Sequence, residues 1–165
     1  MSRYAERHER HERHERHERH ERHDADRQVF TRNVVDRRAR DRQVYEYALL
    51  RAVPRVERGE CVNVGVLLYC RGERFVAART HLDEARLLAL DPRADVAAVR
   101  AALRAVETVC AGGEAAGPAA ADDAGKRFRW LVAPRSTVLQ PGPVHTGLTA
   151  DPAAEADRLL ELLVR

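Results

Sequence analysis

The chain has 165 residues and a formal net charge of +3, enough length for one domain with a modest core. The excess charge does not mark a nucleic-acid binder: residues 1–43 carry 13 arginines against 10 acidic residues, while residues 44–165 carry 16 basic and 16 acidic residues and are neutral. No apolar run approaches the roughly 18 residues that a membrane span requires, and no secretory signal is visible, so a cytoplasmic chain with no membrane partner is expected.

Residues 1–43 read as a low-complexity extension. Residues 6–23 are six perfect Glu-Arg-His triplets. Each of the first five glutamates has an arginine four residues on, as in Glu6–Arg10 and Glu9–Arg13, the favourable order for ion pairs on a helix. Such a helix would have no apolar face, so nothing obliges it to pack. The interleaved arginines repel cations, so the histidines are not expected to hold a metal. Asp26-Arg27-Gln28-Val29-Phe30 nearly recurs as Asp41-Arg42-Gln43-Val44-Tyr45, which fits repeat expansion ahead of a single domain over residues 44–165.

Val44 to Val53 is almost continuously apolar, interrupted by Glu46 and Arg51. A strand apolar on both faces is expected to be central and covered on both sides, and Pro54 ends it. Pro54 to Glu60 alternates arginines with glutamates: a solvated, self-paired loop, or a charged rim offering Arg55 and Glu57. Cys61 to Cys70 is the second strand, with Val62, Val64, Val66, Leu68 and Cys70 expected on one face. Gly65 in its middle predicts a bulge or a close approach, with Asn63 either a satisfied core amide or a polar contact in a shallow pocket. Arg71-Gly72-Glu73 turns the chain into a third strand, Arg74 to His81, returning as a hairpin.

Asp83 is the expected N-cap of a short helix that ends before Pro92. Asp95 to Cys110 is a second helix, with Val96, Val99, Leu103, Val106 and Cys110 as its buried stripe and Gly112-Gly113 as its stop. Residues 111–125, poor in large apolar groups, read as a flexible loop. Lys126 to Val132 returns to the core with Phe128, Trp130 and Leu131. A short strand, Ser136 to Gln140, then a proline-bearing polar loop follow. Asp151-Pro152 opens a final helix with Leu159, Leu160, Leu162 and Leu163 on its apolar side. The fold class is therefore α+β: a small, mainly antiparallel sheet, a three-strand meander plus a short later strand, covered by helices. Cys61, Cys70 and Cys110 show no paired spacing and read as buried free thiols.

The stretches YEYALLRxVPRVERGECVNVGVLLYC and FRWLxAPRSTVLQPxPVHTGLTxDPxxExDRL resemble the bacterial domain-of-unknown-function family 3037, over about Val44 to Val164. The resemblance implies a small cytoplasmic α+β domain and carries no activity or cofactor. It points to one partner class, a HipA-type serine/threonine kinase.

The chemistry-bearing residues concentrate in the second stretch, where Arg135, Ser136, Gln140, His145 and Thr146 lie within twelve residues. Arg135 offers a planar fork for a carboxylate or phosphate, and His145 an acid–base group near neutral pH. A fold-back could bring them to Arg55, Glu57 and Asn63. No nucleophile elbow, phosphate-binding loop, zinc-protease helix or paired-cysteine metal site is present in the sequence. Two functions follow: a non-catalytic interaction module serving a partner enzyme, or a small enzyme or anionic-ligand binder built on Arg135 and His145. Convergence of those two side chains with Glu57 or Asn63 distinguishes them.

Overall fold

The computed structural model describes residues 42–165. The expectations for the triplet array and the rest of residues 1–41 lie outside the described residues. Strands β1 (Gln43–Ala52), β2 (Val62–Cys70), β3 (Phe75–Thr80) and β4 (Leu139–Thr149) form one antiparallel sheet in the order β3-β2-β1-β4. Helices α1 (Glu84–Leu90), α2 (Val96–Ala111) and α3 (Ala124–Leu131) lie between β3 and β4 in sequence, and α4 (Pro152–Leu163) closes the chain. The fold is α+β, as the sequence predicts.

The helices divide between the two sheet faces. On one face, Leu50, Ala52, Val64, Leu67 and Ala78 of the sheet pack with Leu87 of α1, Val99, Leu103, Val106 and Cys110 of α2, and Phe128 and Leu131 of α3. On the other face, Tyr45, Val66, Leu68 and Cys70 pack with Ala156, Leu159 and Leu160 of α4. β1 and β2 are apolar on both faces because both faces are covered.

Each α-helix starts on an aspartate. Asp83, Asp95 and Asp123 accept from the backbone N–H three residues on, and Asp151 accepts from Ala153 and Ala154 ahead of Pro152. α2 ends at Gly112, whose φ of 73° is in the left-handed region.

Four expectations are corrected. First, the faces of β2 do not alternate throughout. The pairing with β1 shifts between Leu50 and Arg51, opposite Gly65 and Asn63, which leaves Val64 extra in β2. Val64 and Leu67 therefore share the α2 face, while Val66, Leu68 and Cys70 face α4. Gly65 combines the bulge with a close approach: a Cβ there would lie 2.8 Å from the Arg79 carbonyl oxygen.

Second, the strand expected at Ser136–Gln140 starts at Leu139 and runs eleven residues, through both prolines. β4 is an edge strand, so only one side of its backbone must be paired. The prolines sit where its register on β1 shifts, between Val144 and Pro141. Third, residues 111–125 hold two short 3-10 turns within Glu114–Ala121, kinked at Gly117 with its φ of 59°, and the start of α3, because small side chains allow the tighter turn. Fourth, three side chains are more exposed than expected, among them Leu162, which turns away from the sheet on α4 and is 66 % exposed. Trp130, expected in the core, is 57 % exposed, and Cys61 lies on the surface just before β2, whereas Cys70 and Cys110 are buried.

Candidate interaction surface

The sheet brings some of the candidate residues together and keeps others apart. Arg51 of β1 pairs with Asn63 of β2 on one side and Gln140 of β4 on the other, so the three form one cross-strand row. Leu50 and Ala52 point toward α2, which turns Arg51 and its row to the α4 face. His145 belongs to the same face. It pairs with Tyr47, and the two rings lie 5.2 Å apart at 32°.

The amides in this row are already satisfied. The Asn63 side chain donates to the Leu163 carbonyl at 3.1 Å, one of the orphan acceptors at the end of α4, and Arg86 donates to Val164 beside it. The Gln140 amide donates to Thr137 at 3.0 Å within its own loop. The structure thus supports the reading of Asn63 as a satisfied amide at a bulge.

Arg135 lies on the opposite face of the sheet. It donates to the carbonyls of Trp130 at 2.5 Å, Leu131 at 3.2 Å and Ala133 at 3.3 Å, so it caps the C-terminal end of α3. Its guanidinium sits 5.0 Å from the centre of the Trp130 ring. Arg135 and His145 therefore do not form one site. Arg55, beyond β1, is paired with Asp91 at 2.9 Å after α1. Glu57 and Ser136 are exposed in loops, and Thr146 is exposed on β4 opposite Glu46.

Next to Arg135 is a cleft of about 190 Å³. Ala102, Ala105, Val106 and Val109 of α2 form one wall, and Trp130 and Leu131 of α3 form another. Thr137 and Leu139 complete it, with Arg135 at its polar rim. The sequence places Trp130 in the core and gives the alanines no marked role. The signal was present, because Phe128 and Leu131 fill the apolar side of a helix too short to bury a third large residue beside them.

The shifted titrations have structural causes. Burial, then the hydrogen bond to Glu155, pushes the Tyr45 hydroxyl up to about 12. Glu155 is in turn held below the usual carboxylate range, chiefly by the two hydrogen bonds from Arg158. This chain of contacts ties β1 to the first turn of α4. Burial likewise pushes the Cys110 thiol up to about 12. Among the described residues, no three His, Cys, Asp or Glu side chains are grouped to hold a metal, and no helix is long and apolar enough to cross a membrane.

No curated protein and no solved structure matches the chain. The family model described as "Protein of unknown function (DUF3037)" matches residues 47–164. That span takes in the whole sheet from Tyr47, all four helices, the cleft and the Arg51 row, and on it the chain belongs to the DUF3037 family.

Proposed function

We propose that the domain is a non-catalytic interaction module, which receives one apolar side chain of a protein partner in the cleft between α2 and α3. The observation that carries this reading is the cleft itself. At about 190 Å³ it is smaller than the roughly 300–1,000 Å³ of small-molecule sites. It has the size of a single anchoring side chain. Its rim offers an exposed tryptophan stacked on an arginine, the two residue types that most often dominate protein interfaces. Three carbonyls hold the arginine in place, so little side-chain freedom is lost on docking. The partner segment would carry a leucine- or phenylalanine-sized residue beside a carboxylate that approaches Arg135.

The partner class is a HipA-type serine/threonine kinase, and the setting is the cytoplasm. Calorimetric titration of such a kinase with the full chain tests this. Trp130→Ala and Arg135→Ala should each weaken binding by about thirtyfold, the loss typical of hot-spot residues. Trp130 lies on the surface, so its removal leaves the fold intact. Failure of the unaltered chain to bind removes the kinase. Equal affinities for the variants remove the cleft.

A further inference from the structure

We infer that the chain pairs with a second copy of itself along β4, antiparallel, with Thr146 on the twofold axis. This surface is separate from the cleft, and the inference does not rest on the proposed function.

Exposed strand edges are usually blunted by charge, proline or cover. β3, one edge of this sheet, is treated so: Arg79 reaches Asp157 of α4 and Thr80 reaches Glu107 of α2. β4, the other edge, is not. Charged residues make up 33 % of the chain, yet Leu139–Thr149 contains no aspartate, glutamate, lysine or arginine. Its prolines, at 141 and 143, blunt only the first half, so among the described residues nothing pairs with or covers the outer edge of Val144 to Thr149.

Side chains in register must share a sheet face, so a twofold pairing centres on a residue, and four centres pair three or more residues of this stretch; the one at Leu148 sets Leu148 against itself and Gly147 against the partner's Thr149. A centre at His145 sets that imidazole against itself and brings Pro143 opposite the partner's Gly147. A centre at Gly147 sets Val144 against the partner's Ala150. A centre at Thr146 sets Val144 against the partner's Leu148, His145 against the partner's Gly147, and threonine against threonine. Only this register makes both faces complementary. On the α3 side, Val44, Leu148 and Val144 are 59 %, 59 % and 39 % exposed, and Val44 already pairs with Leu148. The dimer extends that pair into a row of Val44, Leu148, the partner's Val144 and the partner's Ala48. On the α4 side, Gly147 has no room for a side chain, because a Cβ would lie 2.5 Å from the Tyr45 ring. The partner's His145 therefore meets no side chain opposite it, only Gly147 lying against the buried Tyr45 ring.

The test uses the full chain with Cys61→Ser, which removes the exposed thiol. Sedimentation should show a concentration-dependent dimer, and Leu148→Lys should abolish it. Thr146→Cys should form an intermolecular disulfide under mild oxidation, because residues directly opposite lie about 4.5–5.5 Å apart at Cα, within disulfide reach. Val144→Cys should not, because it faces the partner's Leu148, about four residues or 14 Å from its own counterpart. A monomer at every concentration, a dimer that survives Leu148→Lys, or equal cross-linking at positions 144 and 146 overturns the inference.

Discussion

Replacing Gly65 by alanine tests the account of the sheet most directly. The added Cβ would lie 2.8 Å from the Arg79 carbonyl oxygen, 3.2 Å from Leu50 Cδ1 and 3.3 Å from Thr80 Cγ2. The nearest of these is backbone, held in the β2–β3 ladder through the Gly65–Thr80 and Val66–Arg79 pairs, so it cannot turn aside as a side chain can. Overpacking of this kind costs about 1–3 kcal/mol. Alanine recovers about 0.4–1 kcal/mol by restricting the unfolded chain. At the middle of each range the net expectation is a loss of about 1.3 kcal/mol, which with a urea slope of about 2 kcal/mol per molar lowers the unfolding midpoint by about 0.7 M. The matched control is Gly142→Ala, whose Cβ would meet the end of the Arg51 side chain first, at 3.1 Å. That side chain can move, so the control should stay within about 0.5 kcal/mol of the unaltered chain. Urea unfolding of the three chains, followed by circular dichroism, reads both. Gly65→Ala as stable as the parent, or Gly142→Ala equally damaged, would refute the close-approach argument.

Two further outcomes follow from the titrations and thiols. The folded state raises the Tyr45 pKa to about 12, above its ordinary value near 10, so the stability it lends is complete below pH 10 and is lost as pH rises from 10 to 12. Tyr45→Phe should flatten the fall of stability across that window, read as urea midpoints at pH 9, 10 and 11, and parallel slopes for the two chains would contradict it. Cys61 is exposed, whereas Cys70 and Cys110 are 0 % and 5 % exposed, and the Cys110 thiol resists ionisation. A thiol reagent should therefore label one cysteine in the native chain and three after denaturation, and prompt labelling of a second would count against the packing of β2 and α2.

Local chemistry in the sequence was sufficient for the outline of this protein. Runs apolar on both faces identified β1 and β2 as central strands, because only a strand covered twice can hide both sets of side chains. Asp83, Asp95 and Asp151-Pro152 marked helix starts, because capping depends on residues only a few positions away. What depends on a distant partner was not legible. The prolines of β4 read as a loop until its place at the sheet edge removed the need for their missing N–H groups. The faces of β2 read as simple alternation until the offset against β1 inserted Val64. Arg135 and His145, ten residues apart, read as one site. The sheet separates them, because β4 carries His145 across to Tyr47 on one face while Arg135 stays with the end of α3 on the other. Trp130 read as core, and only the packing of α3 against the sheet, through Phe128 and Leu131, left it outside beside a cleft. Local propensity is written in neighbouring residues, but which face meets solvent is set by elements far apart in the chain.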